Sequence, residues 1–336
     1  MTGRDPVGDQ DRVLLEGVDR YYVMEAMFEG VRVVLSYRGE PYSPAYLQGI
    51  SGAAFRIGGI CPCAPTCTAA MDTRALLRLL GYEIEPMPLD AEGIDLAAEG
   101  AKVVARVKDE IRAGRPVLVW HAFTNAEWDV VAGFDDTEHQ FLGRGSYAGP
   151  DGYAAADQMR MTKAVEICPA FGAILIGEKT GFFDARAAEI AALEEAVRHA
   201  DTCKEVPSPA GEWVFVEGLQ CYDRWVDDLK ADPKSAASMG SRYCYGIYRS
   251  THRAAAGFLQ ELSTKYLEAR DALSHAAEAF VAEADALDAC KRYLSWEAPD
   301  VLDAESAAEA HRLLSQARSA YARGINGIRV ALEMMA

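Results

Sequence analysis

The residues from 49 to 67 carry much of the side-chain chemistry that this sequence offers for a covalent reaction. The stretch reads GISGAAFRIGGICPCAPTC and brings Cys61, Cys63 and Cys67 close together. A cysteine thiolate is a nucleophile, and three clustered thiolates can bind zinc or copper(I) when a fourth ligand comes from elsewhere. A third interpretation is a proline-containing turn whose cysteines only pack. The spacing leaves these interpretations open.

Ser51 stands at the start of the short apolar run in the same stretch. Serine is a preferred N-cap residue, so we expect a short helix to begin there. The amides of Gly52 and Ala53 would then face a substrate carboxylate or a carbonyl oxygen. Ser51 itself would be a nucleophile only beside a base, because its hydroxyl does not ionise at neutral pH.

Further candidates lie on two predicted strands. Side chains alternate along a strand, so Glu127 and Asp129 point one way and Trp128 points the other. Two carboxylates near a helix N-terminus suit an amine substrate or a proton transfer, whereas the alternative is a solvated sheet edge. Arg144 and Tyr147 follow the next strand, and an arginine there could bind a substrate carboxylate.

The elements that must position these residues change in type along the chain. Helical periodicity comes first, apolar strand-like runs follow, and Ala-rich helical periodicity continues after residue 180. This order predicts an α+β protein. We expect a helix-plus-antiparallel-sheet domain over 1–182 and an all-helical domain over 183–336 that packs on it.

The composition of the chain limits the classes of partner that it could bind. The net charge of -17 disfavours nucleic acid and anionic lipid, because no excess of Lys and Arg is present to neutralise phosphates. No apolar run reaches eighteen residues and the first residues lack signal-peptide character, so we expect a cytoplasmic protein without a membrane span or a cofactor. The apolar C-terminal helix is compatible with a homo-oligomer and with plain packing.

Several longer runs carry a family resemblance. YLQGISGAAFRI (46–57), CPCAP (61–65) and RPVLVWHAFTNAEWDVVAGFDDTEHQFLGRGSY (115–147) resemble the N-terminal domain family of butirosin biosynthesis protein H. GLQCYDRWVDDL (218–229) and HRAAAGFLQEL (252–262) resemble the helical region of the same group. That family is related to the double-glycine-type cysteine peptidases, and its namesake transfers an aminoacyl group from a carrier-protein thioester to an aminoglycoside amine.

The resemblance implies a papain-like fold for the first domain, and it covers the chain from about Tyr21 to Leu262. It matches the Cys-Gly pair of the peptidases, at the head of the first core helix, to Ser51-Gly52. It matches their histidine to Glu127, so we do not expect an ordinary cysteine protease.

The resulting hypothesis is an acyltransferase or amide hydrolase of specialised metabolism that acts on a small molecule through a modified papain-like cleft. Its substrate would be an amine or an acyl compound, with an acyl-carrier-protein thioester as one donor. Cys61 is the first candidate nucleophile, Ser51 the second, and Glu127 would face Ser51 across the cleft. Two alternatives stay open: a non-catalytic small-molecule-binding protein on the same fold, and a thiolate-metal protein that uses Cys61, Cys63 and Cys67.

Overall fold

The computed structural model describes residues 11–40, 42–58, 73–163, 169–202, 205–207 and 214–336. Its α-helices within these residues are α1 (Ala26–Tyr37), α2 (Pro44–Ile50), α3 (Thr73–Leu79), α4 (Leu96–Arg112), α5 (Ala185–Ala200), α6 (Leu219–Ala231), α7 (Met239–Lys265), α8 (Arg270–Ala289), α9 (Lys291–Leu294) and α10 (Ala304–Met335). Its strands there are β1 (Arg12–Leu14), β2 (Tyr82–Met87), β3 (Val117–Trp120), β4 (Trp128–Asp135), β5 (Gln140–Arg144), β6 (Ala154–Asp157), β7 (Ala173–Lys179), β8 (Glu205–Pro207) and β9 (Val214–Val216).

The chain divides into two compact units. Unit 1 consists of Met1–Pro44 and Asp72–Phe183, and unit 2 consists of Ala45–Met71 and Asp184–Ala336. The division after Phe183 lies next to the predicted boundary. The segment Ala45–Met71 is grouped with the later helices, whereas the sequence prediction assigned it to the sheet domain.

Unit 1 is built on a seven-stranded antiparallel sheet with the order β2-β7-β3-β4-β5-β6, and β1 pairs with the far half of β4. The short strand β3 is VLVW and every one of its side chains is buried, which fits a strand covered on both faces. β5 pairs along β4 with a register shift between Val131 and Gly133. On the other edge of β4, β3 pairs with its first half and β1 with its second half.

Helix α1 packs on β4 and β3 and buries most of its length. Its N-cap is Glu25, whose two carboxylate oxygens accept hydrogen bonds from the amides of Met27 (3.0 Å) and Phe28 (2.9 Å). These bonds satisfy two of the amides that a helix start leaves without an intrahelical partner. The buried carboxylate of Glu25 therefore lies at the N-terminus of the buried helix α1.

The described part of unit 2 is mostly helical, and its strands β8 and β9 pair antiparallel. Helices α8 and α10 approach closely because glycines on α10 leave room for side chains on α8. A Cβ atom at Gly324 would lie 2.6 Å from the ring of Phe280, and one at Gly327 would lie 2.9 Å from Cβ of Ala276. Close packing of this kind fixes the register of two long helices.

The α+β prediction is confirmed, with a sheet domain followed by a helical part. The prediction that a helix begins at Ser51 is wrong. Helix α2 ends at Ile50, and a 3₁₀ turn, Ala53–Phe55, follows it. Gly52 has φ of 79°, a left-handed conformation that stops helical continuation. Strands β1, β2 and β6 were not predicted, because each is short and only partly apolar.

No helix in the described part of the chain is both long enough and apolar enough to cross a membrane.

Gly49 offers a test of the packing in unit 2. A Cβ atom at this position would overlap the buried ring of Phe258, so we expect Gly49→Ala to lower the free energy of unfolding by about 2 kcal/mol. Gly152 is the control, because a Cβ atom there meets nothing within 4 Å and Gly152→Ala should change stability by less than about 0.5 kcal/mol. Denaturant unfolding of both variants checks this, and equal stabilities would contradict the described packing.

Candidate functional site

The turn between β3 and β4 is held by the carboxylate of Asp129. This side chain is fully buried, and its Oδ2 accepts hydrogen bonds from the amides of Phe123 (2.6 Å) and Thr124 (2.8 Å). Oδ1 has no hydrogen-bond partner in the part of the chain that the structure describes. Gly145 lies directly against it, since a Cβ atom there would collide with both Oδ1 and the Thr124 hydroxyl.

His121 lies in the same turn, because β3 ends at Trp120. Its φ is 56°, as is that of Ala126, and both are left-handed conformations that side chains rarely adopt. The His121 amide donates to the carbonyl of Glu127 (2.7 Å), and the Ala126 amide donates to His121 Nδ1 (3.0 Å). The turn thus fixes the ring of a nearly buried histidine.

Four buried carboxyl groups of unit 1 lie near the hydroxyl of Tyr21, and they belong to Glu25, Glu29, Glu127 and Asp129. Burial and then these neighbouring charges raise the pKa of Tyr21 well above its ordinary value. Its hydroxyl donates to the backbone carbonyl of Trp128 (3.0 Å). Tyr21 therefore remains a neutral hydrogen-bond donor among the carboxyl groups.

The four carboxyl groups differ in their partners. Glu29 bonds to Arg32 Nε (2.7 Å) and to the Tyr22 amide, so it is paired with a cation although burial raises its pKa. For Asp129, burial raises the pKa to about 7, and the amides of Phe123 and Thr124 reduce this effect without cancelling it. A carboxyl group with this pKa takes up and releases protons at neutral pH.

Aromatic side chains adjoin this turn. Trp120 contacts Trp128 and Phe171 edge to face, with ring centroids 5.7 Å and 4.8 Å apart. The indole Nε1 of Trp120 is buried and has no hydrogen-bond partner among the residues described. Trp128 begins β4 as predicted, and its side chain points to the opposite face from Asp129.

Arg144 and Tyr147, predicted to bind substrate, lie at and beyond the end of β5. The Arg144 guanidinium donates to the carbonyls of Gly149 (2.6 Å), Gly152 and Val18 (3.3 Å) and stacks over Tyr153. These contacts hold the β5–β6 connection. Tyr147 is about half exposed.

The other predicted residues belong to unit 2. Ser51 is fully buried, and its hydroxyl donates to the Gln48 carbonyl (3.0 Å) and accepts from the Ala53 amide (3.3 Å). The Gly52 amide donates to the Gly49 carbonyl (2.9 Å). Both amides proposed for anion binding therefore have acceptors within the chain. Because Ser51 and Glu127 lie in different units, their predicted juxtaposition stays a prediction.

After this turn, side chains from three helices hold the backbone from Phe55 to Gly58. Tyr321 donates to the Phe55 carbonyl (2.8 Å), and Tyr248 both donates to the Gly58 carbonyl (2.6 Å) and accepts from its amide (2.9 Å). His199 Nε2 lies 3.0 Å from the Ile57 amide nitrogen and 2.9 Å from the Ile57 carbonyl oxygen. Burial lowers the pKa of His199 to about 3, so the ring stays neutral.

A buried ion pair completes this network. His252 Nδ1 lies 2.6 Å from Glu283 Oε1, and its Nε2 lies 3.0 Å from the Arg56 carbonyl. Burial lowers the pKa of His252, but the Glu283 carboxylate more than offsets this, so the pKa is raised. Tyr222 also donates to Glu283. These contacts connect α6, α7 and α8 to one extended segment.

Cys61, Cys63 and Cys67 lie outside the described residues, and so do Cys168 and Cys203. Cys221, Cys244 and Cys290 are buried free thiols of unit 2. Within the described ranges, no group of three or more His, Cys, Asp or Glu side chains could hold a metal ion.

The structure thus groups Glu127, Trp128 and Asp129 in unit 1 and groups Ser51, Gly52 and Ala53 in unit 2. The sequence analysis missed Glu25. A glutamate directly before the apolar run of α1 was the available signal, but Glu is not among the favoured N-cap types. It also missed Arg160, which lies in the 3₁₀ turn Arg160–Thr162 after β6, because no sequence pattern connects that turn to β4.

In comparisons with known proteins, no family model matches this chain and no curated protein matches it. The resemblance to the butirosin biosynthesis protein H family therefore stays a prediction.

Asp129 predicts a specific pH dependence of stability. Its pKa of about 7 in the folded state lies above the ordinary 3.8, so its favourable contribution is present at low pH and is lost as the pH rises through 7. Asp129→Asn imitates the protonated group at every pH. Between pH 5 and 8, the wild type should therefore lose about 2 kcal/mol of unfolding free energy relative to this variant.

Denaturant unfolding at several pH values measures this difference. Glu138→Gln, at an exposed position of the β4–β5 turn, is the matched control and should follow the wild type. Parallel curves for wild type and Asp129→Asn would show that Asp129 titrates near its ordinary pKa.

Proposed function

We propose that this protein binds a small-molecule amine at the β3–β4 end of unit 1 and promotes transfer of an acyl group to that amine from a thioester. The observation that carries the proposal is the buried Asp129 carboxyl, with a pKa raised to about 7, among neighbouring buried carboxyl groups. The proposal keeps the chemistry that the sequence resemblance implies.

An amine is the substrate class that this electrostatic environment favours. Glu25, Glu127 and Asp129 are buried carboxyl groups near one tyrosine hydroxyl, and Glu29 beside them is paired with Arg32. Bringing an ammonium group to such carboxyls offsets part of the cost of their burial. A neutral or anionic substrate would gain no comparable compensation.

The proposed chemical step begins with proton transfer. An ammonium group must lose a proton before its nitrogen can attack, and a carboxylate with a pKa near 7 is matched to that role at neutral pH. Oδ2 of Asp129 is occupied by two amides, which leaves Oδ1 to receive the proton. Glu127, two residues earlier, is proposed to hold the amine.

The nitrogen then attacks the thioester carbonyl, the new C–N bond forms and the C–S bond breaks. Of the two protons left on the nitrogen, one passes to the departing thiolate and the other stays on the amide, so the products are an amide and a free thiol. This direct route needs no protein nucleophile. A route through an acyl-cysteine intermediate on Cys61 is the second form of the same proposal.

The resemblance to the butirosin biosynthesis protein H family implies a papain-like fold, in which the nucleophile heads the first core helix. Helix α1, one of the helices that pack on the sheet, begins after Glu25. The resemblance matches the peptidase cysteine to Ser51, whereas the present proposal gives the position at the head of α1 to Glu25 and keeps Glu127 in place of the histidine. Ser51 has a capping role, because its hydroxyl is already bonded to the Gln48 carbonyl.

One observation favours a second candidate function, a non-catalytic amine-binding protein. Both oxygens of Glu25 are used to cap α1, so the position that a papain-like enzyme gives to its nucleophile serves helix stability here. Binding without acyl transfer would then be the whole function.

The test combines binding with turnover. The protein is mixed with an acyl N-acetylcysteamine thioester and with spermidine or an aminoglycoside, and free thiol and amide product are measured by absorbance and mass spectrometry. We expect amine-dependent thiol release by wild type and by the exposed-charge control Glu138→Gln. Glu127→Gln and Asp129→Asn should lower the rate at least about 100-fold, the usual scale for a general base.

Each outcome has a defined meaning. Retained turnover in Cys61→Ser would establish the direct route, and its loss would establish the covalent one. Amines that raise the melting temperature of wild type but not of Glu127→Gln, without any thiol release, would support the binding protein. No turnover and no stabilisation by any of these amines would refute both.

A further inference from the structure

The connection from α9 to α10 in unit 2 presents large apolar side chains to solvent. We call residues 296–303, WEAPDVLD, the tryptophan loop. Trp296 is 52% exposed and Val301 is 60% exposed. The loop also carries three carboxylates and no Lys or Arg, and the carboxylates belong to Glu297, Asp300 and Asp303. Exposed apolar side chains that are rimmed by charged ones are typical of a protein–protein contact.

A buried arginine of α7 holds the tryptophan loop in one conformation. Arg242 is 8% exposed, and its Nη2 donates to the carbonyls of Ala298 (2.9 Å) and Pro299 (3.3 Å) and to Asp300 Oδ1 (3.0 Å). Its Nη1 donates to the Trp296 carbonyl at 3.5 Å. Because one guanidinium fixes the loop backbone in this way, little conformational entropy is lost when the exposed tryptophan enters a partner.

A groove runs between α8 and α10, the two helices that α9 and the tryptophan loop connect. Its volume is about 930 Å³, and it lies within unit 2. On the α8 side it is lined by the small side chains of Ala282, Ala286 and Ala289, which leave room for a large side chain from another molecule. Ala289 ends α8, so the groove reaches the end of the helix pair at which the loop lies.

The charges along this groove are opposite in sign to those of the tryptophan loop. Arg312 and Arg323 line its α10 side, and Asp285 lines its α8 side. Asp285 accepts a hydrogen bond from Arg253 (2.8 Å), and Arg312 donates to Glu309 (2.7 Å), so both of these charges are paired. Arg323 is exposed and has no ion pair or hydrogen bond within the described chain. The groove therefore offers an uncompensated cation.

We propose that two copies of this chain form a symmetric dimer in which Trp296 of each copy lies in the α8–α10 groove of the other. Glu297 of one copy then lies beside Arg323 of the second copy. Because loop and groove adjoin on one molecule, a two-fold axis near that end of the helix pair forms both contacts at once, and the interface closes. Tryptophan and arginine are among the residue types that contribute most to the affinity of such interfaces.

A second copy is the partner that the charges favour. The chain as a whole carries a net charge of -17, so an acid-flanked tryptophan needs a cation beside the apolar groove that receives it. Arg323 supplies that cation on the same chain. The dimer does not depend on the proposed acyl transfer, because the loop and the groove belong to unit 2 and the proposed amine site belongs to unit 1.

The test is sedimentation velocity of the full chain over a range of protein concentrations, with light scattering after gel filtration as a second measure of mass. We expect wild type to show an equilibrium between monomer and dimer. Trp296→Ser should raise the dissociation constant at least about tenfold. Leu267→Ser is the matched control, because Leu267 is 64% exposed but precedes α8, at the opposite end from the loop, and it should dimerise like wild type.

A charge exchange tests the pairing of loop and groove. Glu297→Lys and Arg323→Glu each place like charges together across the interface, so each alone should weaken the dimer. The double variant restores opposite charges in reverse order and should dimerise more tightly than either single variant. Glu297 and Arg323 are exposed, and near-ultraviolet circular dichroism with the melting temperature confirms that each variant is folded.

Four results would overturn the proposal. A monomer at every concentration would remove the dimer. An unchanged dissociation constant in Trp296→Ser would place the interface elsewhere. A double variant as weak as the single ones would separate Glu297 from Arg323. Species that grow beyond the dimer as concentration rises would show that the contact does not close on itself.

Discussion

The hydrogen bonds from the Phe123 and Thr124 amides to Asp129 are the interaction on which the β3–β4 end of unit 1 depends. They tie a strand residue to the turn that precedes the strand. That turn also contains His121 and Glu127, and the His121 amide donates a hydrogen bond to the Glu127 carbonyl. Burial of the carboxylate strengthens these bonds and also raises the pKa of Asp129, so structure and proton chemistry come from one group.

Unit 2 also contains buried backbone groups that must be hydrogen-bonded, and side chains from its helices satisfy them. Among the described residues, the extended segment from Phe55 to Gly58 has no continuous strand neighbour, and an isolated bridge pairs Gly58 with Glu217. Buried backbone groups need partners, and here tyrosine and histidine side chains supply them. Such a segment cannot be replaced by a helix or a loop of another length without leaving several polar groups unsatisfied.

Periodicity in the sequence predicted the long elements well. Helices α1, α4 and α5 and strands β3 and β4 follow local patterns of apolar residues, and Asp95 and Asp184 cap helices in the expected way. Ser51 shows where prediction from a local sequence pattern fails. A serine before apolar residues fits an N-cap, but its hydroxyl closes the end of α2 because Gly52 takes a left-handed conformation. Tertiary packing therefore determines that Ser51 closes the end of α2 and does not cap the start of a new helix.

The candidate site was only partly predictable, because its determinants are distant in sequence. Glu127 and Asp129 were recognised from one strand, yet their significance depends on Glu25 from α1 and on Arg160 from the turn after β6. Local sequence gives neither burial nor the distance between charges. The charges of α1, β4 and the turn after β6 act on one another only once the chain has folded.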